Sequence, residues 1–339
     1  MSNGFSCLQV LILLCVVKNI FIYSGLGSHH YHMGRELYES LPLFRKRFDE
    51  LADVAGYLSG RSIVKQIYDP SRKPYESFHA TAVAGLAIFA LECALTEVLV
   101  LEGLKPDVVM GCSLGMFAAS VACGSMRAED ALKVIFDQAN TIDRYGEEGA
   151  MIAVVGSVTA VREDSILCTH AEIAAINTDN SFVLAAPSVN LEVIEAALTR
   201  RRLTYQRLAI TRAFHSRWID GLHDLFLHNL KRITTCPGGI PVVCCSVPGQ
   251  YVEVAPETLW NAVRQPVRFK SAIEHLEEAG PWRYIDAGPS GTLSNCLKYL
   301  LPMNSASKIS PVMTPWGGDV LRFKNLLNEA TFLGGWCGV

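Results

Sequence analysis

Asp107-Val108-Val109-Met110-Gly111-Cys112-Ser113-Leu114-Gly115-Met116-Phe117-Ala118-Ala119-Ser120-Val121-Ala122-Cys123 changes character twice along its length. Val108 to Met110 is a short apolar run led by the Pro106-Asp107 turn, which reads as a buried strand, and from Met116 onward small and apolar residues suit a buried helix. Between them lies Gly111-x-Ser113-x-Gly115. A serine at a sharp strand-to-helix turn takes a strained backbone angle, and side chains two positions to either side would collide, so both positions are glycine. The turn pushes the hydroxyl outward, while the amide of Leu114, at the opening of the helix, points to where an oxyanion forms. The bare pattern is common, but a strand before it and a helix after it make it a nucleophile elbow.

The chain around this stretch has 339 residues, half of them apolar, enough for an α/β core that carries an insertion. The net charge is −3 with both signs interspersed, a balance that points to no nucleic acid and no membrane surface as partner. Eleven cysteines with no C-x-x-C spacing, among them Cys93, Cys123 and Cys296 inside apolar runs, predict reduced thiols and a cytoplasmic protein. Residues 1–17 form an apolar N-terminal extension. Cys7 to Val17 has the length of a secretory apolar region and is too short to span a bilayer, yet no Lys or Arg precedes it and no A-x-A-like site follows. A packed apolar segment, an upstream start artefact and a true signal all remain open readings.

Asn19 to Tyr23 reads as a first strand, ending in Ser24-Gly25-Leu26-Gly27-Ser28. The turn lacks the spacing of a phosphate loop, which leaves the alternative use of bringing backbone amides to a reacting group. His29, His30 and His32 follow; without partner ligands at a diagnostic spacing elsewhere, they read as a turn rich in surface imidazole rather than a metal site. One amphipathic helix is expected over 33–54, mostly loop over 59–77, and a buried helix over 79–101 leading into the elbow. Beyond the elbow, a helix over 127–146 carries Gln138. Strands at 149–155, 172–177 and 181–186 alternate with helices at 163–169 and 191–202, a small α+β unit spanning 149–213 inserted in the larger domain. A helix over 220–233, a strand over 240–246, a helix over 258–263, a strand over 282–286 and a glycine turn opening a last helix complete the core.

First strand with Gly25-Leu26-Gly27-Ser28, then Gly111-Cys112-Ser113-Leu114-Gly115, Ala213-Phe214-His215-Ser216, Pro266-Val267-Arg268-Phe269 and Asp286-Ala287-Gly288-Pro289 occur in the order found in one family. The chain resembles the malonyl-CoA:acyl-carrier-protein transacylases over about residues 18–327. It is more similar still to free-standing acyltransferases that serve polyketide synthases lacking such a domain. The resemblance implies an α/β-hydrolase-like core over 18–148 and 214–327, a ferredoxin-like subdomain over 149–213, and a C-terminal tail over 328–339. It implies acyl transfer through a Ser113 ester with His215 as base, and backbone amides of Leu114 and Leu26 as the oxyanion hole. It further implies a backbone carbonyl near Ala262 orienting the imidazole, and an acyl pocket shaped by Gln138, Cys112, Met116 and Phe214. No cofactor is expected, since the substrate itself carries a phosphopantetheine thioester, on an acyl carrier protein of a polyketide synthase or on coenzyme A.

Three positions depart from the family pattern. Cys112 stands where histidine is usual, Met116 where glutamate or glutamine is frequent, and Gln138 where malonyl-selective members carry an arginine that pairs with the free carboxylate. A carboxylate in a dry pocket without its cation loses several kcal/mol of compensation, so uncharged acyl groups are expected, unless Arg144 or Arg127 takes the role through a shifted register. The reading preferred on these residues is an editing hydrolase that removes stalled acyl groups from carrier proteins. The alternatives are an acyltransferase loading units in trans, a catalytically silent carrier-binding module, and a general esterase using Asp286 and His275.

Overall fold

The computed structural model describes residues 17–78 and 81–334; the N-terminal extension, apart from Val17, and the start of the helix expected at His79 lie outside the described residues. Among the described residues ten strands occur in chain order: β1 (Lys18–Tyr23), β2 (Val108–Gly111), β3 (Gly149–Val155), β4 (Glu172–Thr178), β5 (Ser181–Pro187), β6 (Thr204–Arg207), β7 (Val242–Cys244), β8 (Tyr251–Val252), β9 (Trp282–Asp286) and β10 (Lys308–Pro311). They form a six-stranded sheet of order β10-β9-β1-β2-β7-β8 and a four-stranded sheet of order β4-β5-β3-β6. The larger sheet is parallel except for β8 at its edge. Ile20 to Tyr23 and all of β2 are buried, as expected of central parallel strands covered on both faces by helices. Tyr23 pairs with Gly111, so the loops leaving β1 and β2 emerge side by side at the carboxyl edge, where open α/β sheets place their ligands.

The helix Thr81–Leu101 lies inside this domain. It is long and apolar enough to cross a membrane, yet 89% of its most apolar window is buried within the protein. The smaller sheet is antiparallel, and its order β4-β5-β3-β6, with helical segments after β3 and after β5, is ferredoxin-like. One of its faces packs Ile152, Val154, Phe182 and Leu184 against its own helices in a separate small core. The other face presents Met151, Ala153, Ala175 and Val183 to the larger domain. The chain passes into and out of the subdomain side by side, through a bridge of Glu148 with Arg212, and β4 is tied back to the core where Ile176 donates to the Val267 carbonyl and Val267 to that of Ala174.

Several expectations need correction. The single helix over 33–54 is two, Arg35–Ser40 and Pro42–Ser59, because Leu41 is held extended ahead of a proline. A short helix, Ile63–Ile67, occupies the expected loop. The expected tail over 328–339 is in large part the end of a helix, Asp319–Gly334. The cysteines are not all thiols: Cys93, Cys123 and Cys296 are free, but Cys112 is joined to Cys245. That pairing follows from register, since Gly111 of β2 lies opposite Cys244 of β7 and the next residues along each chain face one another.

Candidate active site

Among the described residues Ser113 is one of four non-glycine residues with positive φ, at 56°. The strain is held in place from both sides: a Cβ on Gly111 would overlap the backbone of Met116, and one on Gly115 the carbonyl of Tyr23. Gly25 completes the approach, because a Cβ there would sit 2.9 Å from that of Ser113. The loop after β1 can therefore lie against the elbow, which sets Leu26 and Leu114 on the same cavity as Ser113. Among the described residues neither of their amides donates a hydrogen bond within the protein, so both remain available to a developing oxyanion.

His215, also at positive φ (59°), lies in the loop that returns from the subdomain. Its Nε2 is 2.8 Å from Ser113 Oγ and its Nδ1 2.8 Å from the carbonyl of Gln265. That carbonyl fixes the proton on Nδ1 and leaves Nε2 as the acceptor for the serine hydroxyl. The orienting carbonyl is thus Gln265 and not Ala262, whose own carbonyl faces Ser246 Oγ. Pro266 explains the shift: the residue before proline is driven out of the helical region, so Pro256–Arg264 ends and Gln265 is extended, its carbonyl turned away from the helix axis. Burial pulls the His215 pKa down to about 4, the Gln265 carbonyl opposing this and Arg264 adding to it. The imidazole is consequently neutral at pH 7, the state a general base requires.

Beside the pair opens a cavity of about 260 Å³ with a mostly hydrocarbon lining. Cys112, Gln138 and Phe214 line it as expected; Met116 does not, being fully buried beneath the elbow. Gln138 is 7% exposed and its Oε1 is buried without a partner. Arg127 and Arg144, the alternatives to it, are both exposed, the first paired with Glu129 and the second lying over the Tyr145 ring. An unforeseen guanidinium does reach the lining: Arg212 donates to the carbonyls of Ile142, Thr211 and Asp143. No local pattern in the sequence singles it out, because its partners are backbone groups 70 and 69 residues away as well as its own neighbour. Deeper support comes from Glu92, whose buried carboxyl takes the amide and hydroxyl of Ser24 and is pushed well above its ordinary pKa by burial.

The remaining candidates lie apart from this chemistry. Asp286 uses its two carboxylate oxygens on the amides of Gly288 and Ser294, while His275 faces Glu278, so no esterase triad forms from them. The three early histidines are half-buried rather than on the surface, and their rings face backbone carbonyls: His29 that of Phe78, His30 those of Tyr31 and Pro289, His32 that of Arg72.

Both the sequence and the fold have counterparts among known proteins. Residues 20–335 match the family described as acyl transferase domain. The chain is 35% identical over 308 residues to the polyketide biosynthesis acyltransferase homolog PksD of Bacillus subtilis, covering 91% of this chain and 94% of that protein. It is 32% identical to the homolog BaeD of Bacillus velezensis, covering 88% and 92%. Among solved structures, the acyltransferase domain from the second module of the salinomycin polyketide synthase superposes with a TM-score of 0.79 at 27% identity, over 91% of this chain and 72% of that one.

Proposed function

Because the chain belongs to the acyl transferase domain family, we propose that it is an acyl-[acyl-carrier-protein] hydrolase, which clears uncharged acyl groups from the carrier proteins of a polyketide synthase through an ester on Ser113. The observation that carries the choice of substrate is Gln138: an uncharged, buried amide on the wall of the cavity that Ser113 faces. Arg212, the guanidinium that reaches the lining, commits three of its five N–H donors to backbone carbonyls and has the Asp143 carboxylate 3.9 Å away to balance its charge. A malonyl carboxylate brought beside Gln138 would give up its water without gaining a bidentate partner.

Each half of the reaction is a proton exchange between the same two side chains. His215 Nε2 takes the hydroxyl proton as Ser113 Oγ bonds to the thioester carbonyl carbon; the tetrahedral oxyanion is met by the amides of Leu26 and Leu114. Collapse breaks the C–S bond, and the imidazolium returns the proton to the departing sulfur of the carrier. Water then enters, loses a proton to Nε2 and attacks the ester, and Ser113 Oγ leaves with that proton. The products are a carboxylic acid and a free carrier thiol. Transfer differs only in that a second thiol replaces water, and the word acyltransferase in the relatives' names favours it as the second reading.

The test is incubation with acetyl-, butyryl- and malonyl-loaded carrier protein followed by intact mass. The proposal expects free carrier from the first two and none from the third. Acyl groups that reappear on an added empty carrier would establish transfer instead.

A further inference from the structure

We propose that Ser28 is a positioning residue of this reaction: its hydroxyl locks the peptide group that presents the Leu26 amide to the oxyanion, and Ser24 and Glu92 hold that hydroxyl in place. This deepens the reading above and rests on Ser113 forming the ester.

The carbonyl of Gly25 and the amide of Leu26 belong to one peptide group. Such a group is planar, and with no cis bond among the described residues its C=O and N–H point in opposite directions. Whatever fixes the carbonyl therefore aims the amide. The turn Gly25-Leu26-Gly27-Ser28 does this only weakly through its backbone, since Ser28 N–H donates to the Gly25 carbonyl at 3.3 Å, longer than a usual N–H···O bond. The Ser28 hydroxyl donates to the same oxygen at 2.7 Å. It is the shorter of the two bonds and occupies the second lone pair, so the peptide cannot turn without breaking both. Gly27, at φ 98°, bends the chain tightly enough for residue 28 to reach back.

The hydroxyl is itself held from behind. With its own proton directed at Gly25, Ser28 Oγ accepts from Ser24 Oγ at 2.9 Å. Ser24 is anchored in turn on Glu92 Oε1, which lies 2.7 Å from its amide nitrogen and 3.1 Å from its hydroxyl. Glu92 is fully buried and is the one charged residue type between Thr81 and Thr96 of its apolar helix. An acid in that place costs stability, and among the described residues the only bonds its carboxyl accepts are the two from Ser24. Burial pushes its pKa well up, the bonds from Ser24 opposing this and Asp286 adding to it. The shift favours the uncharged form, which suits a group set behind a developing anion. On the other side Gly288 leaves the room, since a Cβ there would overlap Ser24 Oγ. The relay thus runs from the middle of the helix Thr81–Leu101 to the Gly25 peptide, and it acts on the reaction through the Leu26 amide.

The experiment compares the full-length wild type with Ser28→Ala, Glu92→Leu and Glu92→Gln. Two ligands separate an aimed amide from a merely intact fold: butylboronic acid, which forms a tetrahedral anion on Ser113 and needs the oxyanion hole, and the S-butyl thioether of coenzyme A, which has no carbonyl and does not. The rate and the final extent of labelling by a fluorophosphonate probe are read alongside. Outright loss of one oxyanion donor costs about 100-fold or more, so a misaimed one should weaken boronate binding and slow labelling by at least about tenfold in Ser28→Ala and Glu92→Leu. Thioether affinity and the extent of labelling should not change. Glu92→Gln, which keeps an oxygen in the place of Oε1, should stay close to wild type; a loss as large as that of Glu92→Leu would overturn the part given to Glu92. Ser28→Ala is smaller than the residue it replaces and decides the matter even if Glu92→Leu does not fold. Boronate affinity that is unchanged in Ser28→Ala, or that falls no further than thioether affinity, overturns the proposal alone. Wild type that neither labels nor binds the boronate overturns the ester mechanism beneath it as well.

Discussion

The cavity has two unlike walls. The wall made by the carboxyl edge of the parallel sheet is polar, and its reacting side chains are held by bonds within the protein: Ser113 to His215 to Gln265, and Ser24 between Glu92 and Ser28. The wall made by the helix Ala128–Tyr145 and the inward face of the subdomain is mostly hydrocarbon, broken by Gln138, Asp143, Asn177 and Arg212. The difference separates two tasks. Reaction needs groups fixed before the substrate arrives, so their bonds are made within the protein. Selection depends on the wall the acyl chain lies against, and there Gln138 stands as an uncharged amide.

Changes on the first wall should therefore be severe and blind to the acyl group. The largest is Ser113→Ala, expected to reduce kcat/KM by at least about 10⁴ for every thioester and to abolish labelling by a fluorophosphonate probe; residual labelling would place the nucleophile elsewhere. Gly115→Ala drives a methyl group into the Tyr23 carbonyl and should cost about 3 kcal/mol of stability, seen as a lower Tm, together with activity on all substrates. An unchanged Tm would mean that the elbow is not under the constraint described.

Acidity probes the same wall more gently. With His215 at about 4 in the fold and near 6.5 when unfolded, the unfolded chain takes up the proton first as the pH drops. Stability from this group is complete above about 6.5 and declines until about 4, by about 3 kcal/mol in total, while the acylation rate stays level down to about 5. An acid limb centred near 6.5 in short assays would show an imidazole that water reaches. Smallest of all, Pro266→Ala frees Gln265 to continue the helix and loosens the orienting carbonyl, a loss of about tenfold in kcat with little change in KM. No change would mean that the carbonyl is held by the tie between Val267 and Ala174 instead.

The two walls were unequally legible in the sequence. The elbow could be read from Gly111, Ser113 and Gly115 because its sterics are local, and Ser113 and His215 do meet. The carbonyl at Gln265 was misplaced by one helical turn, although Pro266 marks the end of that helix. β6 was missed because Thr204–Arg207 is a short, largely exposed edge with no apolar alternation to announce it. The second wall is assembled from residues far apart in the chain, so of its lining only Gln138 was foreseen. Arg212 and the subdomain face were not. Nor was the Cys112–Cys245 link, since 133 residues separate its partners and only strand register brings them together.

The central claim is that an uncharged amide on the second wall decides which acyl groups reach Ser113. Single-turnover acylation by malonyl-CoA and butyryl-CoA, read by intact mass on wild type and Gln138→Arg, tests it most directly. Wild type should form the butyryl adduct about 100-fold faster than the malonyl one, and the arginine variant should reverse that order. Wild-type enzyme that accepts malonyl as readily as butyryl would contradict the account.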